Sequence, residues 1–285
     1  MSTRKLKQAL SAEEVRLAIK ENVIGKITAA HDSFGHHYKL PSGKIVDSVT
    51  TKLVVDKPHL IKWAIRMGFE WMEQDNRFQK LNKTNRDEFL QGAMLAHTDI
   101  RDDAGNVGTR GHDVIEQYMK EWISSGHRPV DIKTLVPADA HYRVVAIARS
   151  AEAIFNKYHC IPVATEILVG SEKWNCAGTL DAMVLTEEFP GFPQLELWDW
   201  KSSNSVQDSY AMQIAAYKMF FEEMTGYKID KCKVMKLDKY SDRFKIYNIP
   251  SIPSAFKAFK AISAVYDWQT NGKDKYLEDK IIVKI

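Results

Sequence analysis

Asp199, Trp200 and Lys201 close an apolar run (Leu195-Glu196-Leu197-Trp198), 18 positions after the aspartate of Gly178-Thr179-Leu180-Asp181. A carboxylate pair holds a hard divalent cation, and a nearby ammonium can help deprotonate water or neutralise a scissile phosphate. That is the residue set a metal-dependent phosphodiesterase needs. The alternation of a strand puts Asp199 and Lys201 on one face and turns Trp200 to the other, toward a core. The plainer alternative is a surface ion pair, worth about 0–1 kcal/mol and no chemistry. If the two runs are antiparallel neighbours, Asp181 and Asp199 converge at one end of a sheet. Such oxygen ligands suit Mg²⁺ or Mn²⁺, which keep waters for the reaction.

Three further positions gain meaning beside that pair. Glu166 lies inside Val163-Ala164-Thr165-Glu166-Ile167-Leu168-Val169, where a carboxylate needs a partner, a metal or an exposed strand face. His112 opens an amphipathic helix after Gly108 and Gly111, and a neutral imidazole can complete a cation shell; the plainer role is a capping histidine. Gln213 and Tyr217 are four apart on a helix and share a face, either as a polar pair packed on the sheet or as contacts to the site or to DNA.

The elements that must position them follow from periodicity. Residues 11–30 read as a helix, His37 to Val46 as a hairpin around Pro41-Ser42-Gly43 that ends at Ser48 to Thr51, and Leu60, Trp63, Ala64 and Met67 as a helix with Pro58 in its first turn. A helix over 84–98, a polar loop over 102–106, and helices from Gly108 to Trp122 and Asp139 to Tyr158 come next. Three consecutive strands then cover 161–169, 174–185 and 194–201. A helix over 207–225, strands over 232–237 and 244–249, and a closing helix over 253–270 complete the order. This predicts an α/β fold with a helical and hairpin elaboration over 1–105 and a core over 106–285.

Composition narrows the class. With 45% hydrophobic and 27% charged residues, a chain of 285 residues can bury a real core. No apolar stretch is long enough for a bilayer, and the basic N-terminus is not followed by the apolar segment of a signal peptide, so a cytoplasmic protein without membrane contact is expected. A net charge of +3 neither announces nor excludes a basic groove for nucleic acid. Cys160, Cys176 and Cys232 are too few for a four-thiolate iron–sulfur cluster and are expected as reduced thiols.

In this order, Gly108 to His112, Glu166, Gly178-x-x-Asp181, Asp199-x-Lys201-Ser202-Ser203 and Gln213-x-x-x-Tyr217 resemble the RecB-type branch of the PD-(D/E)XK nuclease superfamily. The segment Gly43 to Thr51, followed by Leu60-Ile61-Lys62-Trp63-Ala64, is similar to the N-terminal region of phage-encoded and mitochondrial-maintenance exonucleases of that branch. The resemblance implies a restriction-endonuclease-like core, a mixed central sheet flanked by helices. It implies Mg²⁺- or Mn²⁺-dependent hydrolysis of DNA, single-stranded or at duplex ends, in recombination, repair or replication, with exonuclease action favoured over endonuclease action. By motif match, His112, Asp181 and Asp199 would ligate the metal, with the Trp200 carbonyl adding a further oxygen. Lys201 would position or activate water, Glu166 would assist, and Gln213 and Tyr217 would support the site or contact DNA. The cysteine count places the chain with the cluster-free members. The competing expectation is a DNA-binding recombination accessory that keeps the fold without turnover.

Overall fold

A computed structural model describes residues 10–32, 35–56, 59–82, 84–188 and 191–271. The basic residues 1–9 and Pro58 lie outside the described residues. The chain opens with α1 (Ala12–Asn22), whose start is fixed by a reciprocal cap. Ser11 Oγ accepts from Glu14 N at 3.2 Å, and Glu14 Oε2 accepts from Ser11 N at 3.1 Å. Strands β1 (Thr28–Asp32), β2 (Gly35–Lys39) and β3 (Ile45–Asp47) follow as a small antiparallel sheet. A short α2 (Val49–Lys52) leads to α3 (His59–Gln74), α4 (Arg86–Ser125) and α5 (Tyr142–Lys157).

The second half builds the main sheet. Strands β4 (Cys160–Ser171), β5 (Cys176–Glu187) and β6 (Pro193–Lys201) form an antiparallel meander. Helix α6 (Asp208–Thr225) then crosses over to β7 (Lys231–Leu237), which lies parallel to β6, as a strand–helix–strand unit requires. Strand β8 (Phe244–Asn248) closes the edge, and α7 (Ile252–Asn271) ends the described chain. The result is a mixed α/β fold around a five-stranded sheet in the order β4-β5-β6-β7-β8.

Both faces of this sheet are covered, which is why β5 and β6 read as nearly continuous apolar runs. Leu195 and Leu197 point into a core shared with α1, α6 and α7. Their alternating neighbours Trp198 and Trp200 point into a second core under α4 and α5. Trp200 is 1% exposed, so its expected core-facing side chain is observed.

Three expected boundaries are corrected. The helix expected over 11–30 stops at Asn22; Gly25, at φ +75°, turns the chain into β1, where pairing with β2 overrides the weak strand preference of Ala29-Ala30. The loop expected at 102–106 is helix, because α4 runs unbroken through it for 40 residues, and residue 105 lies inside that helix. Asp103 carries no breaking signal there and instead pairs with Arg143 of α5 at 2.7 Å. Ser48 caps α2 with its hydroxyl, accepting from Thr51 N at 2.8 Å, so this segment begins a helix as well as ending the hairpin. Among the described residues, no helix is long and apolar enough to cross a membrane.

Candidate functional site

Strands β5 and β6 pair from Glu187 opposite Pro193 up to Ala182 opposite Trp198, and there their ladder stops. The next two residues are Asp181 and Asp199. Beyond them β5 stays with β4 as far as Cys176, while β6 stays with β7 as far as Lys201. The two strands part at the two aspartates. The Trp200 amide, which has lost its cross-strand partner, donates to Asp181 Oδ2 at 2.8 Å. That bond sets the Trp200 peptide at the rim of the fork.

Asp199 is fully buried. Its Oδ2 lies 2.6 Å from Lys201 Nζ, and its Oδ1 accepts from Gln213 Nε2 at 3.4 Å. The lysine contact is a close ion pair on a buried carboxylate. A solvent-exposed ion pair is therefore not what Asp-x-Lys forms here. Taking a charged pair out of water costs several kcal/mol per ion before attraction repays it. Lys201 Nζ also sits 5.1 Å above the Tyr210 ring, whose hydroxyl donates to Ser203 Oγ at 3.0 Å.

Glu166 enters from β4. The ladder pairs Thr165 with Ala182 and Ile167 with Leu180, leaving Glu166 across from Asp181 with its backbone at φ +49°. A non-glycine residue held there stores about 1–3 kcal/mol of strain, which surrounding structure must hold in place. The twist breaks the simple alternation that would have grouped Glu166 with Ala164 and Leu168, and it aims the carboxylate into the fork.

Helix α4 brings His112. Glycines let it approach: a Cβ at Gly111 would lie 2.6 Å from Ile147 Cγ2 of α5, and one at Gly108 would lie 3.1 Å from Ser202 Oγ. His112, Glu166 and Asp181 each then offer one ligand atom, all within 4.8 Å of one another. Asp199 stands outside that trio, with its oxygens turned to Lys201 and Gln213.

The electrostatics are those of crowded acids in a dry cleft. Burial, then the charge of Asp181, pushes the Glu166 carboxyl up to about 9, with Glu116, Asp113 and Asp199 adding to it. Burial raises Asp181, opposed by Lys201 and by the Trp200 amide. Burial raises Asp199 to about 6 against the pull of Lys201. Burial, helped by Lys201, lowers His112 to about 4, so its imidazole is neutral near pH 7 and free to act as a ligand. For Lys201 burial works downward, but Asp199 and Asp181 outweigh it and the ammonium is held above its ordinary value.

The Gln213–Tyr217 pair seats α6 on the fork. Gln213 Nε2 reaches both Asp199 Oδ1 and Tyr217 OH, the latter at 3.3 Å. Tyr217 lies directly over Gly178, where a Cβ would sit 2.5 Å from its Cε1. Gly178 in the Gly-x-x-Asp run is thus a close-approach glycine, and Tyr217 is 3% exposed.

Some neighbours were not singled out in the sequence. Glu116 follows His112 by one helical turn, so i,i+4 spacing was the available signal. Lys239 lines the same groove as His112, Lys201 and Ser202, a hollow of about 340 Å³. A larger hollow of about 560 Å³ lies by Lys231 and Lys233. Its charges are used within the fold: Lys233 pairs with Glu196 at 2.6 Å and Lys231 with Glu188.

The donor set of His112, Glu166 and Asp181 suits a hard or borderline divalent cation: one neutral imidazole and carboxylate oxygens. The three cysteines are buried and unpaired, and burial pushes each thiol up to about 12, so they offer no thiolate ligands. No protein-family model matches the chain, and no curated protein matches it.

Proposed function

We propose that this protein is a Mg²⁺- or Mn²⁺-dependent deoxyribonuclease with a restriction-endonuclease-like core, acting as an exonuclease on DNA. One observation carries the reading: the β5–β6 ladder ends at Asp181 and Asp199, and Glu166, His112 and Lys201 converge on the gap. Two aspartates alone would be an acidic patch. Burial, the imidazole beside them and a cationic lysine paired with Asp199 make an acidic patch a poor description.

Glu166, Asp181, Asp199 and His112 would hold the cation. When bound, a divalent cation polarises a phosphoryl oxygen and makes water more acidic. Lys201 is cationic, so its part is to orient the attacking water or to offset charge on the scissile phosphate, not to take a proton. Gln213 fixes the Asp199 carboxylate, and Tyr217 fixes Gln213. The Trp200 amide fixes Asp181. Cores beneath both faces exclude bulk water from the fork and strengthen each interaction there. Hydrolysis adds one water to phosphorus, breaks one P–O ester bond and leaves a hydroxyl on the departing strand.

The test is a time course on linear single- and double-stranded DNA labelled at either the 5′ or the 3′ end, with Mg²⁺, Mn²⁺ or EDTA. Release of label with either cation, lost in EDTA and in Asp199→Ala and Lys201→Ala proteins, is expected. A closed circular single strand should resist, separating exonuclease from endonuclease action. Wild-type protein that leaves every linear substrate intact with both cations refutes hydrolysis and favours a DNA-binding accessory.

A further inference from the structure

Lys239 lies two residues past the end of β7 and is 9% exposed, and no hydrogen bond or ion pair among the described residues reaches its ammonium. Its stem is buried while its nitrogen still reaches the surface, as in a snorkelling lysine. The acid before it in the chain and the acid whose charge bears on it are both engaged. Asp238 accepts from the Tyr240 and Ser241 amides at 2.8 and 3.2 Å, and Asp103 holds Arg143 at 2.7 Å. The other charges bearing on Lys239 are Arg143 and Lys236, which repel it. Burial, reinforced by Arg143, holds the ammonium below its ordinary value.

The side chain lines the groove that also holds His112, Lys201, Ser202 and Thr109. Gly105, on the same rim, leaves open space where a side chain would project. A cation with a buried stem and no protein counter-ion, opening onto the groove beside the proposed scissile position, fits an anion supplied from outside. We propose that Lys239, with the hydroxyls of Ser202 and Thr109, forms a phosphate subsite that holds the phosphate next to the scissile one on the bound strand. The assignment of the strand rests on the deoxyribonuclease reading; the lack of a protein counter-ion at Lys239 does not. The phosphate is either an internal diester or the monoester at a strand end, and both satisfy the same chemistry.

Binding of a short fluorescent single-stranded oligonucleotide in EDTA buffer tests this without requiring turnover. The wild type should bind oligonucleotides carrying one neutral methylphosphonate linkage, placed at each position in turn, less tightly at one position. Lys239→Met and Lys239→Gln should bind the unmodified strand about 10-fold less tightly, as for one lost charge-assisted contact. Their slope of log affinity on log salt should be shallower by about 0.7, one single-strand phosphate's worth. The position-specific methylphosphonate penalty should vanish in both, and Lys239→Arg should restore slope and penalty. A penalty tied to a 5′ or 3′ end phosphate assigns the monoester, and one tied to an internal linkage assigns the diester. Wild-type affinity and slope in both variants, or an undiminished methylphosphonate penalty, overturns the subsite. Protein that shows the binding signatures but cleaves no DNA loses the hydrolytic reading and keeps the subsite.

Discussion

Proton release on cation binding is the sharpest consequence of the crowded acids. Glu166 is held at about 9 by burial and by the charge of Asp181, so it carries a proton near pH 7 in the metal-free protein. A cation that takes its carboxylate as ligand must displace that proton. Between about pH 6.5 and about pH 8.5 apparent affinity should therefore rise about 10-fold per pH unit, or about 100-fold in all, equivalent to about 2.7 kcal/mol. Asp199, held at about 6, is largely ionised over that interval and adds a second proton only at lower pH, where the dependence should steepen. Mn²⁺ titration followed by the resonance of the free ion gives the affinity. Calorimetry in two buffers of different ionisation enthalpy counts the protons. Glu166→Gln should lower the pH slope by about one proton. The same group sets a stability trend of opposite sign. A carboxyl raised in the folded state stabilises fully below its unfolded value, and that contribution is lost as pH rises through its folded value. Metal-free protein should thus melt lower at about pH 9 than at about pH 6, and Glu166→Gln should remove much of that difference. Affinity that is flat over the first interval, with no proton released, refutes the account of the site.

Other consequences are local. Lys201→Met should lower kcat by about 100-fold or more while leaving DNA affinity within a few-fold, read by single-turnover cleavage beside anisotropy. Gly178→Ala drives a Cβ into the Tyr217 ring and should cost about 1–3 kcal/mol in urea unfolding. Tyr217→Ala in the same chain should recover part of it, and strict additivity of the two losses would contradict the contact. Glu196 accepts from Thr186 Oγ1 and Trp198 Nε1 and pairs with buried Lys233. Glu196→Ala strands that lysine and should cost about 3–5 kcal/mol with Mn²⁺ affinity unchanged; a change below 1 kcal/mol would show that the pair is dispensable. The three thiols should resist iodoacetamide in folded protein and react in denaturant, followed by mass spectrometry.

The Asp181 and Asp199 positions were legible because strand alternation and adjacency are short-range properties. Trp200 turning inward, Lys201 beside Asp199, and Gln213 sharing a face with Tyr217 all follow from periods of 2 and 3.6. Glu166 shows the limit. Its left-handed backbone has no signature in Val-Ala-Thr-Glu-Ile-Leu, since the strain is imposed by neighbours distant in sequence. The unbroken α4 was missed because Asp102 to Asn106 has the polarity of a loop, while the tertiary pair Arg143–Asp103 that accompanies the helix comes from 40 residues away. Lys239 was invisible for a similar reason. A lysine near a strand end reads as an ordinary surface residue until the fold closes over its stem and turns it to the groove.

The length of α4 has a mechanical meaning. Arg86 at its start and His112, about two-thirds of the way along, are 26 residues apart, about 39 Å along one continuous helix. The outer part packs on α3, which presents Ile65 and Phe69 to solvent, and the inner part carries an imidazole of the fork. Gly111, one residue from that imidazole, lets the rod bear closely on Ile147 of α5. A helix pivoting there is a lever with a long outer arm and a very short inner one. Large excursions at the α3 end become sub-ångström adjustments at His112, the scale on which a coordination shell is gained or lost.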